Sequence, residues 1–403
     1  MRNLKILRII LINLSITSIS IYICLLLFSL FDFYKPNSPR RIKLERIFNE
    51  DIPERLNLID KGYIPSFSPF QQLKKNKNSL IYPIGSLPLT DSYLCNEGYG
   101  TITYKTDRFG LRNSDIKWNK IFKSKNIFLI GDSFIHGCCV PEDALISEIV
   151  QKNLNINTIN IAMGSNGSYE YIAALKSVIK PIIEKSKKEN FVLINFFSND
   201  DVTFNSYNEK LLKELKPIIE VSKSDSIGPT NFYKKNLIKQ INKDFPQSID
   251  EMKRAVLVTF RGSRFSVKYQ LLTLDLKIRS NIKTLIKKNF RNEFFNSDKQ
   301  KNNISITEKS ILLLSEICNQ KCNPMVAYIP PSNIWTPSPF NNSYKKRLKD
   351  YAEKYNIPFV DGQAKINPYE KGNYAPKGGH LSIEGYKKYG DLISERIRDK
   401  FKN

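Results

Sequence analysis

Asn126-Ile-Phe-Leu-Ile130-Gly131-Asp132-Ser133 is a continuous apolar run that stops at a glycine, an acid and a serine. A strand with no polar alternation has both faces buried, which calls for a parallel sheet covered by helices on each side. Two further runs repeat the pattern: Thr158-Ile-Asn-Ile-Ala162, ending at Gly164, and Phe191-Val-Leu-Ile-Asn-Phe-Phe197, ending at Ser198-Asn199-Asp200. Helical patterns separate the strands, at 169–187, 307–319 and 343–355, and two late strands are expected at 325–329 and 358–361. The fold class is therefore α/β. Its polar residues gather just past the carboxyl ends of the strands, where open α/β sheets place their sites.

The last helix is expected to begin after Ser382, a good N-cap, and carries Tyr386, Tyr389, Ile393 and Ile397 on one face. Upstream, residues 98–107 read as a strand before the turn Arg108-Phe109-Gly110.

The 403 residues, 41% apolar, suffice for a large core. Formal charge is +24, but the lysines form no dominant tract and no recognition motif accompanies them, so nucleic acid is not an expected partner. After Arg2, Lys5 and Arg8, the run 9–31 is almost wholly apolar and long enough to span a bilayer. Bulky residues follow it instead of a small-residue cleavage site, so the expectation is an uncleaved single-pass anchor with the rest of the chain outside the cytoplasm. This divides the chain into a tail and anchor at 1–34, a proline-rich stalk merging into an irregular extension at 35–90, and a domain at 91–403 interrupted by a lysine-rich helical insertion or cap at 202–300. Of six cysteines, Cys24 falls in the apolar run and the other five cannot all pair within one chain, so disulfide status stays open. No thiol spacing points to zinc, there is no phosphate-binding loop, and neither a metal nor a cofactor is expected.

A serine becomes nucleophilic only beside a base, with donors ready for the developing oxyanion. Ser133 sits where a buried strand turns towards a helix. Only two histidines exist, His136 and His380. His136, three residues past Ser133, reads as structural or pocket-lining. His380, in the glycine-containing loop Lys377-Gly-Gly-His380-Leu-Ser382 before the last helix, can return over the strand ends as the base. Asn199 and a backbone N–H of the Gly164 to Gly167 loop are candidate oxyanion donors, while Asp132 and Asp200 read as ties between site loops.

These blocks resemble the SGNH, or GDSL-like, hydrolase family: Gly131-Asp132-Ser133-Phe134, the Gly164 region, Ser198-Asn199-Asp200, and His380-Leu381-Ser382. The resemblance covers roughly 100–205 and 305–400, and implies a flavodoxin-like three-layer α/β/α domain with a central parallel sheet. It assigns Ser133 as nucleophile, His380 as base, and the Ser133 N–H, the Gly164 N–H and the Asn199 amide as the oxyanion hole, with Gly167 as substitute for Gly164. One departure matters. The family commonly carries an Asp three residues before its His, where this chain has Lys377, so no acid on that segment can orient the ring. The expected site is a Ser-His dyad, its imidazole held by a backbone carbonyl or by the more distant Asp361.

The reading is an ester hydrolase or O-acyl or O-acetyl transferase acting on an acylated extracytoplasmic substrate, with a surface polysaccharide as the substrate class. The bilayer and a membrane-bound polysaccharide-assembly complex are the expected partners. A degenerate module that binds an anionic glycan or scaffolds such a complex is the alternative. A lipase acting at the bilayer would need an apolar rim, which the basic character of 202–300 disfavours.

Overall fold

The computed structural model describes residues 50–75, 79–197, 206–222, 226–244, 248–261, 305–335 and 341–402, with scattered positions between 12 and 24. Most of the apolar run 9–31, residues 35–49, and Asn199 with its neighbours lie outside the described residues. Among the described residues no helix is long and apolar enough to cross a membrane. The chain forms two compact units, Pro53–Lys253 with Ile304–Asn403, and Met1–Ile52 with Arg254–Asn303.

Elements run in the order α1 (Ile52–Asp60), β1 (Ile64–Pro65), α2 (Pro69–Lys75), β2 (Asp91–Tyr93), β3 (Thr103–Lys105), β4 (Asn126–Gly131), α3 (Ser133–His136), α4 (Ile146–Leu154) and β5 (Asn157–Ala162). Then come α5 (Ser168–Ala174), a π-helical turn (Leu175–Ile179), α6 (Lys180–Lys185), β6 (Asn190–Phe196), α7 (Ser206–Lys213), β7 (Ile219–Val221), β8 (Ile227–Pro229), α8 (Asn231–Asp244) and α9 (Ile249–Arg261). The chain ends with α10 (Ile306–Cys318), β9 (Asn323–Tyr328), α11 (Asn341–Lys354), β10 (Phe359–Asp361) and α12 (Ile383–Lys402).

The main sheet has the order β10-β9-β6-β4-β5, with every pair parallel. Counted by sequence within the sheet this is 2-1-3-4-5, the flavodoxin-like order, whose switch point lies between its first and third strands, here β4 and β6. Both faces are covered. Phe128, Ile130, Val192, Ile194, Val326 and Tyr328 point to one face and pack with Tyr171, Val178, Ile311 and Leu348. Ile127, Leu129, Phe191, Leu193, Met325 and Ala327 point to the other, with Ile135, Ile146, Val150, Tyr386, Tyr389 and Ile393. Burying each such side chain contributes about 1.5–3 kcal/mol, so the continuous apolar strands follow directly from this sandwiching.

Three expectations need correction. The described residues of 53–90 form an irregular extension, as expected, but one packed on the domain and not a free stalk: Ile81, Tyr82 and Ile84 are buried, Tyr82 Oη donates to Glu170 at 2.7 Å, and the Ile84 N–H donates to Tyr233 Oη at 3.0 Å. Prolines there break regular structure, but the apolar residues between them still reach the core. The strand expected over 98–107 shrinks to β3, paired antiparallel with β2, because Gly98 and Gly100 adopt φ of 111° and 80° and turn the chain out of the sheet. The segment 202–300 is not wholly helical among its described residues: α7 ends at Lys213, and past Pro217 the chain forms β7, which pairs with β8 in an antiparallel hairpin. Tyr233, Leu237 and Ile241 of α8 join the main core.

Candidate active site

β4 delivers Ser133 to the carboxyl edge of the sheet at the switch point. Its turn is tight: a Cβ on Gly131 would come within 2.5 Å of Ile135 Cγ1, so only glycine lets α3 fold straight back on the strand. Asp132 caps α3, its Oδ1 accepting the Phe134 N–H at 2.9 Å. Gly137, at φ 75°, ends the helix after one turn, and Arg112 clamps the following loop by donating to the Gly137 and Val140 carbonyls at 2.7 and 2.9 Å. The Asn160 amide donates to the Ile135 carbonyl at 2.8 Å, tying α3 to β5.

His380 arrives from the opposite end of the sequence. Its loop folds back on itself through the Ala375 N–H to His380 carbonyl bond at 2.9 Å and the Tyr374–Leu381 bridge. Ser382 Oγ accepts the Gly385 N–H at 2.9 Å and so starts α12, while Tyr389 Oη donates to Asn195 Oδ1 at 3.0 Å and pins that helix to the sheet. The result brings His380 Nε2 to 2.9 Å from Ser133 Oγ. Phe134 packs against the imidazole at a tilt of 55°, its ring centroid 4.8 Å away, with Phe197 behind it at 4.3 Å.

The residue that orients the imidazole is Glu97, which the sequence reading missed. Its Oε1 lies 3.0 Å from His380 Nδ1, and its Oε2 accepts the His380 backbone N–H at 3.1 Å. A carboxylate only accepts, so Nδ1 carries the proton and Nε2 of the neutral ring is left as the acceptor facing Ser133. The expected dyad is thus a three-membered set, and Asp361 is engaged elsewhere, with Lys345 and the Gln363 N–H at 2.9 Å each. Glu97 reaches this position because Gly98 and Gly100 turn its segment inward and Gly378 makes room: a Cβ on Gly378 would stand 1.8 Å from the Glu97 carboxyl carbon. The resemblance led one to look for an acid at 377, where Lys377 stands; Gly378 beside it leaves space for an acid from another segment. The Lys377 N–H donates to the Glu97 carbonyl at 3.0 Å. The signal in the sequence was the Glu-Gly-Tyr-Gly run itself, an acid between turn-forming residues.

Gly167 and Gly164 are distinguishable by their partners. The Gly167 N–H donates to Glu170 Oε2 at 2.9 Å, whereas a Cβ on Gly164 would meet nothing nearer than Cys138 Sγ at 4.0 Å, so that face of Gly164 is open. Ser165 next to it adopts φ 65°. Asp132 Oδ2 lies 3.4 Å from Ser133 Oγ, at the outer limit of a hydrogen bond. Burial pushes the Asp132 carboxyl up to about 6, against the pull of the Phe134 N–H and of His380. Two disulfides are present, Cys95–Cys139 and Cys318–Cys322, and Cys138 is a free, buried thiol whose pKa burial raises. Glu97, Cys139 and His380 place potential ligand atoms within 4.8 Å of one another, but the Cys139 sulfur is committed to its disulfide.

His136 is not part of this set. It is fully buried, with Nε2 3.4 Å from Tyr104 Oη, and burial together with the Arg112 and His380 charges lowers its pKa to about 3. The folded protein therefore refuses a proton that the unfolded chain takes up near pH 6.5, and stability is lost as pH falls from there towards 3. Relative to a His136→Gln variant, the wild type should lose about 1.4 kcal/mol of stability per pH unit between about pH 5.5 and 4, measured by urea unfolding. Equal slopes for the two proteins would show that His136 is not held neutral.

No family model matches the chain, and no curated protein matches it. Solved structures do. A member of the lipolytic protein G-D-S-L family from Veillonella parvula DSM 2008 is 12% identical, with 68% of this chain and 97% of that one covered and a TM-score of 0.33. A GDSL-like lipase from Bacteroides thetaiotaomicron VPI-5482 is 13% identical, with 69% and 90% covered and a TM-score of 0.32. At this level the likeness assigns no residue a role. What the structure shows at this site is the hydrogen-bonded geometry of Ser133, His380 and Glu97.

Proposed function

We propose that the chain is a serine-dependent esterase or O-acyl or O-acetyl transferase. The observation that carries the reading is a serine hydroxyl 2.9 Å from an imidazole nitrogen whose partner nitrogen sits 3.0 Å from a buried carboxylate. In such a set His380 Nε2 takes the Ser133 proton as Oγ attacks the acyl carbonyl, and Glu97 stabilises the imidazolium that forms. The Ser133 N–H, the Gly164 N–H and, by resemblance, the Asn199 amide receive the oxyanion. His380 then returns the proton to the departing alcohol. Water, activated by the same imidazole, frees the acid, or a sugar hydroxyl takes the acyl group, and both outcomes use one constellation.

The substrate class we favour is an acylated glycan outside the cytoplasm. Its support is the apolar run 9–31, read as a membrane anchor, the net charge of +24, which suits an anionic polymer, and two disulfides, which suit an oxidising compartment. The degenerate-module alternative rested on Lys377 in place of the acid before His380 and on the lysine-rich segment 202–300; the Glu97 contact weighs against the first of these grounds.

A fluorophosphonate probe tests the reading. The full-length wild type is expected to take up one equivalent on Ser133, located by peptide mass spectrometry. A folded protein that stays unlabelled would overturn the esterase reading and move the search to glycan binding.

A further inference from the structure

The Glu97 segment and the nucleophile segment are far apart in sequence, and one covalent bond joins them. Cys95 stands two residues before Glu97, and Cys139 six residues after Ser133, with a sequence separation of 44 between the two cysteines. The bond lies against the site: Cys139 Sγ is within 4.8 Å of both the Glu97 carboxylate and an imidazole nitrogen of His380. Cys139 itself adopts φ 67°, a left-handed conformation uncommon for a residue with a side chain, two residues after the αL turn at Gly137.

On the other side, β2 and β3 are only three residues each, and the loop between them carries Gly98 and Gly100 at positive φ. Backbone bonds do hold its base, Leu94 N–H to the Ile102 carbonyl at 2.8 Å and Ile102 N–H to the Cys95 carbonyl at 3.3 Å. Such short pairing is marginal as a support for a buried carboxylate that must meet two donors at about 3 Å.

We propose that the Cys95–Cys139 disulfide is a positioning strap that holds Glu97 against His380, so that reducing it switches the site off without unfolding the domain. This rests on the esterase reading. The switching step is thiol–disulfide exchange with a dithiol: one thiolate attacks a sulfur of the pair and releases the other as a thiolate, which takes up a proton. The second thiolate of the reductant then closes its own disulfide and frees the remaining cysteine, so two electrons and two protons end on Cys95 and Cys139. Cys138, next to Cys139, is buried, and burial raises its pKa, which disfavours the thiolate that exchange needs. The Cys318–Cys322 bond, closing α10 onto the start of β9, is the internal control.

The test compares the full chain oxidised and reduced with dithiothreitol, with p-nitrophenyl acetate turnover and fluorophosphonate labelling as readouts. A chelator is present throughout, because a freed Cys139 thiolate beside Glu97 and His380 would complete a metal-binding trio. Reduction is expected to lower kcat by about 10- to 100-fold with KM little changed, a fraction of the about 10⁴-fold loss known when the acid of such a set is replaced outright. A Cys95→Ser/Cys139→Ser variant should match the reduced protein and ignore dithiothreitol, while Cys318→Ser/Cys322→Ser should respond as the wild type does. Glu97→Gln should be slow in the oxidised state and show no further loss on reduction, a non-additivity that a general loosening of the fold would not produce. The deshielded Nδ1 proton of His380, followed by NMR, should vanish on reduction, and this readout does not depend on turnover.

Three results would each overturn the strap: an unchanged rate once alkylation proves Cys95 and Cys139 reduced, an equal further loss in Glu97→Gln, or unfolding seen by circular dichroism. An oxidised wild type that shows the Nδ1 proton but takes no probe would instead fail the esterase reading while leaving the strap standing.

Discussion

Ser133→Ala is expected to lower ester turnover by about 10³- to 10⁶-fold, to abolish fluorophosphonate labelling, and to leave the fold intact. Among the described residues Ser133 Oγ has two side-chain partners, His380 at 2.9 Å and Asp132 at 3.4 Å, and the Asp132 carboxylate keeps its stronger bond to the Phe134 N–H at 2.9 Å when the hydroxyl is gone. The loss is therefore chemical. His380→Ala should fall by a similar factor, because a serine without its base is an ordinary alcohol. The double variant should be no slower than either single one, since the two groups act as one unit. Turnover in Ser133→Ala at a tenth of the wild-type rate or above would locate the nucleophile elsewhere.

The central sheet was legible because its strands are apolar on both faces and each stops at a glycine or a polar cluster, so 126–130, 158–162 and 191–197 name themselves. Ser133 and His380 were legible for related reasons: the serine interrupts a buried strand, and with two histidines in the chain the base had few candidates. Glu97 was not, because nothing local marks it. Its contact with His380 spans 283 residues, and it depends on Gly98, Gly100 and Gly378 acting together, a coincidence of backbone turns that no periodicity records. Residues 53–90 misled for a different reason. Seven prolines between 36 and 88 read as extended chain, yet Tyr82 and Ile84 are anchored by partners on α5 and α8 that are distant in sequence. The cysteine pairing was open for the same cause, since Cys95 and Cys139 meet only after both loops have reached the sheet edge.

Glu97→Gln should lower kcat by about 10²- to 10⁴-fold with little effect on KM. The carboxylate now accepts from two donors on one residue, the His380 N–H at 3.1 Å and the Nδ1 proton at 3.0 Å. A carboxamide has one acceptor. If its oxygen keeps the backbone N–H, its NH₂ faces Nδ1, which must then accept, and the ring proton moves to Nε2, where it points at Ser133 and cannot receive a second. If the oxygen keeps Nδ1 instead, two N–H groups face each other at His380 and the loop must shift. Either way the imidazole stops serving as a base in the right place. Gly378→Ala tests the same contact without touching an ionisable group: its methyl would lie 2.2 Å from each Glu97 carboxylate oxygen, so the acid must leave its seat. That variant should also be slowed by about 10²-fold or more, and joining it to Glu97→Gln should add little, because both remove one contact. Full activity in Gly378→Ala, with the domain folded by circular dichroism, would mean that His380 is oriented by something other than Glu97.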